Sequence, residues 1–227
     1  PIVHFEAPPS QRVPMEMARL FAWLEQSAPS GPTPTSTLAR AGLAHLWFES
    51  IHPFEDGNGR LGRALSELLL AQGLNRPVLS GLSGALLRRQ KQYYRALEEA
   101  SSTLEVTNWL LWFAAAAIEA QRRTEAQLAF VLDKARLMHK LSGRLNPRQQ
   151  KALLRMFEAG PEGFLGGLSA KNYMTITGAP TATATRDLTD LVALGALTRT
   201  GELKSTRYHL AVALRPVASV EVKDIAG

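Results

Sequence analysis

His52-Pro53-Phe54-Glu55-Asp56-Gly57-Asn58-Gly59-Arg60, followed three residues on by Arg63, packs an imidazole, two adjacent carboxylates, two glycines around an asparagine, and two arginines into one short stretch. An apolar helical run precedes it. Leu61, Ala64, Leu65, Leu68, Leu69 and Leu70 give a helical face after it, so a helix is expected to begin near Gly59. Its first turn has amides without intrahelical partners and carries the positive end of the helix dipole. Gly57 and Gly59 lack a Cβ, which lets an anion come close to the backbone. A glycine-rich loop leading into a helix is an anion cradle, and phosphate is its usual occupant. Arg60 and Arg63, one helical turn apart, project to one side with guanidinium forks suited to phosphate oxygens. Asp56 offers a hard oxygen for Mg²⁺, commonly held by one or two carboxylates plus substrate phosphates. His52 can accept a proton near neutral pH. Together these are the parts needed for attack of a protein hydroxyl on a nucleotide. The plainer reading is an ordinary helix–helix connection, since Asp, Gly and Asn also build turns.

His52, Phe54, Asp56, Gly57, Asn58, Gly59, Arg60 and Arg63 match every fixed position of His-x-Phe-x-(Asp/Glu)-Gly-Asn-Gly-Arg-x-x-Arg. In this the stretch resembles the signature of the Fic (filamentation induced by cAMP) family. The resemblance implies a mainly α-helical enzyme that transfers AMP from ATP to a Ser, Thr or Tyr hydroxyl of a target protein, with the chain itself among the candidate targets. It implies His52 as general base, Phe54 as the anchor of the loop in the core, and Asp56 as the Mg²⁺ ligand. Asn58 and the backbone at Gly57 and Gly59 would hold the α- and β-phosphates. Arg60 and Arg63 would meet the outer phosphates, and Gly62 belongs with the nucleotide-binding positions. Glu55 falls at a variable position and takes no metal role. Tyr93-Tyr94-x-x-Leu97 resembles the family helix that borders the adenine, which makes Tyr93 a nucleotide-binding residue; Ser101 stands where relatives often carry an asparagine. The family's inhibitory helix, Ser/Thr-x-x-x-Glu-Gly/Asn, has no match in these 227 residues, so Arg63 is expected to be free for the γ-phosphate. Some relatives transfer other phosphate-containing groups or remove AMP, and the signature leaves these open.

The formal net charge of +6 makes acidic partners plausible. Residues 1–104 carry 10 Lys/Arg against 9 Asp/Glu and residues 105–227 carry 16 against 11, so the basic excess lies away from the signature. There is no cysteine, hence no disulfide and no thiolate metal site. No run approaches the roughly 18 apolar residues of a membrane span, and no signal peptide is seen, which points to a cytoplasmic protein without a membrane partner. The chain begins at Pro1 without a methionine, and truncation before that residue is one expectation. Ile2–Phe5 is β-prone, and its place resembles the trailing strand of the Fic flap, which clamps a target segment by strand addition.

Helices are expected over Pro14–Gln26, Thr37–Ile51, Gly59–Leu74, Leu86–Ser101 and Val106–Leu141. His45 lies in an apolar helix and reads as a packing residue. Ser142-Gly143-Arg144 breaks the pattern, giving a Fic catalytic core over 1–142 and a second domain over 143–227. In that domain Asn146-Pro147 opens a helix, Ser169 caps a short one and Pro180-Thr181 opens a third; Ala196–Arg199 and Thr206–Leu210 read as paired strands. This order resembles a small winged helix-turn-helix domain, with possible DNA contact through 169–210. Thr181, Thr183, Thr185 and Arg186 would face a groove, with Arg199, Lys204 and Arg207 near phosphates. Asp187 and Asp190 on the same helix argue the other way, and many such modules only bind protein or form homodimers. The rival to an enzyme is therefore a nucleotide-sensing transcription regulator.

Overall fold

The computed structural model describes residues 7–75, 81–103 and 105–221. The Ile2–Phe5 strand expected for a flap lies outside the described residues. The chain is mainly helical and forms two compact units. One gathers the described residues up to Thr124 with those from Ala218 on, and the other spans Glu125–Val217. The division falls inside a long helix, upstream of the break at Ser142–Arg144.

The first unit contains α1 (Val13–Gln26), α2 (Thr37–Ile51), α3 (Asn58–Leu74), α4 (Leu82–Arg88), α5 (Gln90–Thr103) and the first part of α6 (Thr107–Lys140). Pro14 sits in the first turn of α1, where its missing N–H removes no helical bond. At the centre is α2, which buries Ala41, Gly42, Ala44, His45, Leu46, Phe48 and Ile51. A Cβ at Gly42 would stand 3.1 Å from the Phe113 ring, so α6 comes close to α2 there. The Trp109 indole N–H donates to the Gly42 carbonyl at 2.8 Å and closes the contact. Trp109, Phe113, Leu82 and Leu69 are buried in the same core, each contributing roughly 1.5–3 kcal/mol of transfer free energy as an upper estimate.

The Leu86–Ser101 helix expected from the sequence is two helices. Arg89 stands at the break with φ −110°, between α4 and α5. Its guanidinium bonds the buried Glu119 carboxylate and, at 3.0 Å, the Val220 carbonyl. Arg123 Nε and the Val220 amide also donate to Glu119, at 2.9 and 3.2 Å. Burial pushes the Glu119 carboxyl up, but those hydrogen bonds and the Arg89 charge hold it below the usual carboxylate range.

The second unit contains the rest of α6, then α7 (Pro147–Phe157), α8 (Ala170–Thr177), α9 (Thr181–Ala193), β1 (Leu197–Thr200) and β2 (Arg207–Leu210). Asn146 and Gln149 form a reciprocal capping box at the start of α7, and the Ser169 hydroxyl caps α8. The two strands pair antiparallel from Leu197↔Leu210 to Thr200↔Arg207, and Leu168 bridges to Tyr208. Leu153, Met156, Leu188 and Leu191 fill the core. Asp187 is 1% exposed. It accepts from Arg148 Nε at 2.8 Å, Asn146 Nδ2 at 3.0 Å and the Tyr173 hydroxyl at 3.0 Å.

Candidate functional site

The signature spans the end of α2 and the start of α3. His52 terminates α2 in the left-handed region (φ 48°, ψ 58°), its amide donating to the Phe48 carbonyl at 3.0 Å. Ending the helix there leaves the imidazole exposed. Gly57 precedes α3 with φ 87°, a conformation that glycine adopts without strain. The first helical bond of α3 runs from the Leu61 amide to the Gly57 carbonyl at 3.0 Å. The amides of Asn58, Gly59 and Arg60 therefore stand ahead of the helical ladder. The N-cap is a glycine and no side chain caps the helix. An external acceptor can take that place.

Arg60 and Asp56 form an exposed ion pair at 3.0 Å, the two side chains 73% and 92% exposed. Such a pair contributes little to stability and is readily rearranged by a ligand. Arg63 donates Nε to the Ser83 hydroxyl at 3.0 Å. No glutamate lies within ion-pair distance of it among the described residues.

The structure places two signature residues, and Gly62 between the arginines, differently from the family expectation. Phe54 is 49% exposed, touching the Phe48 ring on one side, so it does not anchor the loop in the core. Asn58 is 2% exposed and both ends of its amide are engaged by Phe54. Its Oδ1 accepts from the Phe54 amide at 3.0 Å, and its Nδ2 donates to the Phe54 carbonyl at 2.6 Å. The side chain thus braces the loop, which leaves the backbone amide for an anion. Gly62 is buried against α2, where a Cβ would meet Glu49 Oε1 at 2.5 Å.

Tyr93 also turns inward. It is 8% exposed, packed on Trp109 and Trp112. The Ser66 hydroxyl donates to the Gly62 carbonyl at 2.9 Å, so its oxygen accepts His45 Nδ1–H at 3.1 Å. That leaves His45 Nε2 to accept the Tyr93 hydroxyl at 3.0 Å. A polar chain therefore links α5, α2 and the first turns of α3. Burial lowers the His45 pKa to about 4, keeping the imidazole neutral at pH 7, and burial raises that of Tyr93. His45 is a satisfied core residue, as its apolar setting predicts.

Sequence reasoning missed Glu49, the single acid of α2. Its side chain is 9% exposed, and Oε1 is buried without a hydrogen-bond partner. It lies 4.0 Å from His45 Nε2, which is no ion pair because His45 is neutral. Burial pushes the Glu49 carboxyl up, while the charges of His52 and Arg63 pull it back. A charged residue inside the apolar run Leu43–Ile51 was the available signal.

The Fic/DOC family model matches residues 2–70. That segment, less than a third of the chain, is what is similar to the Fic/DOC family. A probable protein adenylyltransferase of Aquifex aeolicus (strain VF5) is 32% identical over 96 residues, covering 42% of this chain and 26% of that protein. The chain thus spans about a quarter of that relative. A crystal structure of a Fic family protein from Desulfovibrio desulfuricans G20 is similar at 27% identity and a TM-score of 0.47, over 90% of this chain and 56% of that one. The matched segment ends in α3, so the exposed imidazole, the uncapped helix start and both arginines fall inside it.

No helix among the described residues is long and apolar enough to cross a membrane. In the second unit Thr181, Thr185, Arg186, Arg199 and Lys204 are exposed, whereas Thr183 and Arg207 are half-buried.

Proposed function

We propose that the chain transfers AMP from ATP to a hydroxyl of a target protein. What carries the reading is the uncapped, glycine-led start of α3, flanked by Arg60, Arg63 and an exposed imidazole. The amides of Asn58, Gly59 and Arg60 hold the α- and β-phosphates, and the guanidinium groups take the outer ones. Asp56 is the carboxylate that would hold Mg²⁺. Among the described residues no group of three or more potential metal-ligating side chains exists. An exposed carboxylate beside a phosphate cradle fits an ion carried in by the triphosphate and does not fit an all-protein cage. When bound, Mg²⁺ neutralises charge on the phosphates.

His52 takes the proton of the incoming hydroxyl. The hydroxyl oxygen then bonds the α-phosphorus as the bond to the β-phosphate bridging oxygen breaks, and pyrophosphate leaves. The open position of His52 suits a substrate as large as a protein chain. The nucleotide reading of Tyr93 fits the structure only through its ring and backbone, because its hydroxyl is engaged by His45.

The test is His52→Ala with isotopically labelled ATP and a cell lysate. Transfer is expected to fall by about 10²- to 10⁴-fold, the range for losing a general base, with ATP binding retained. Undiminished AMP incorporation would remove His52 from the chemistry.

A nucleotide-sensing regulator that binds DNA through its second unit is the second reading. One observation favours it: Asp187 is turned inward, which takes one acid off the exposed face of α9. Tight, salt-dependent duplex binding without any transfer would decide for it.

A further inference from the structure

Glu49 is the one carboxylate on α2, and the start of α3 closes over it. Its side chain is nine-tenths buried, with Oε1 unpartnered. A buried polar atom without a protein partner is costly and calls for an explanation. Gly62 leaves room for that oxygen and for little else, since a Cβ there would stand 2.5 Å from it. The neighbouring glycine shows what shares the space. A point one bond from the Gly59 backbone, where a Cβ would be, lies 3.1 Å from Arg63 Nη1 and 4.0 Å from Glu49 Oε1. The guanidinium and the carboxylate therefore flank the same turn of the phosphate cradle without forming a direct pair. Arg63 is tethered at Nε to Ser83, so its terminal nitrogens are the part left to be aimed. A carboxylate beneath an anion site would by itself repel a triphosphate. Its placement makes sense if it acts on the cation next to it.

We propose that Glu49 is the positioning residue for Arg63, its buried carboxylate holding the guanidinium in line with the outer phosphates of the bound nucleotide. This rests on the nucleotide reading of the α3 start. The effect has a sign that distinguishes it from the bare field of a negative charge. If Glu49 only adds charge, neutralising it tightens ATP. If it positions Arg63, neutralising it weakens ATP.

Calorimetric titration of the full chain with ATP and with AMP reads this directly. Glu49→Gln, close in shape, is expected to weaken ATP by about tenfold, within the range for residues acting as a unit. AMP, which lacks the outer phosphates, should bind as before. In an Arg63→Ala background the same change should leave ATP affinity unchanged or raise it. Glu49→Asp keeps the charge and should restore most of the affinity, which a packing role would not. Should Glu49→Gln melt out, Gly62→Ala displaces the carboxylate without changing any charge and should weaken ATP in the same direction. ATP affinity that rises or holds in Glu49→Gln overturns the proposal. So does a loss confined to turnover, which would assign Glu49 to His52. A wild-type chain that binds no ATP would instead overturn the nucleotide reading, and this assignment with it.

Discussion

Asn58→Ala tests how the loop is held. Asn58 makes two hydrogen bonds to the Phe54 backbone, at 3.0 and 2.6 Å, in a site 2% exposed. Each such bond contributes about 1 kcal/mol net, and a buried partner left unpaired costs about 1–3 kcal/mol. Phe54 is half-exposed, so water can reach its backbone once the amide is gone, which puts the loss near the low end, about 2–3 kcal/mol. The loss should act locally. Phe54 has only one face against Phe48, so the loop can open without unpacking α2 from α3. Hydrogen exchange followed by mass spectrometry should show peptides over residues 53–58 exchanging about 30- to 150-fold faster, the factor that 2–3 kcal/mol represents. The melting temperature should fall by only a few degrees. ATP binding should weaken, because the free amides at the start of α3 would no longer be aimed together. Asn58→Asp should do at least as much damage, since it sets a carboxylate oxygen against the Phe54 carbonyl. Unchanged loop exchange in Asn58→Ala would refute the brace and return the side chain to direct phosphate contact.

Two further predictions concern buried carboxylates. Asp187→Ala leaves the Tyr173 hydroxyl and the Asn146 amide without their acceptor and should destabilise the second unit by about 3–5 kcal/mol, seen in a denaturant melt. Burial pushes the Asp187 carboxyl up, but hydrogen bonds from Arg148, Tyr173 and Asn146 hold it below its ordinary value. Its contribution is therefore present above the unfolded pKa near 4 and is lost as pH falls through the folded one. Wild-type stability should drop more steeply below pH 4 than that of Asp187→Asn. Glu119→Gln should weaken the first unit in the same acid-sensitive sense by about 1–3 kcal/mol, loosening the hydrogen bonds to Arg89, Arg123 and Val220; equal melting curves across pH 3–7 would contradict it.

Much of the architecture is legible from local chemistry. Thr37–Ile51 follows from its apolar residues, α7 from Asn146-Pro147, and α8 from the Ser169 cap. The signature located the candidate site for the same reason: its residues are neighbours in the chain. What stayed hidden depends on partners far apart in sequence. Tyr93 reads as a nucleotide-binding residue, and nothing near it in sequence shows that its hydroxyl meets His45, 48 residues earlier. The break at Arg89 is invisible in the helical period because its partners are Glu119 and Val220. Asp187 looked like an outward charge on α9, and only the packing of α7 shows it facing in. Periodicity tells which residues share a face, not which neighbour that face will find.

The bond from the Val220 amide to Glu119 has a topological consequence. The backbone leaves the first unit through α6, builds the second, and comes home at Ala218. The second unit is thus a guest threaded into its host, joined by two covalent crossings rather than appended to one end. Cutting the chain after residue 142 would not simply release a tail. It would strip the returning segment from the host and leave Glu119 short of one of its donors. A clean excision would instead need a short bridge spliced between residues 124 and 218.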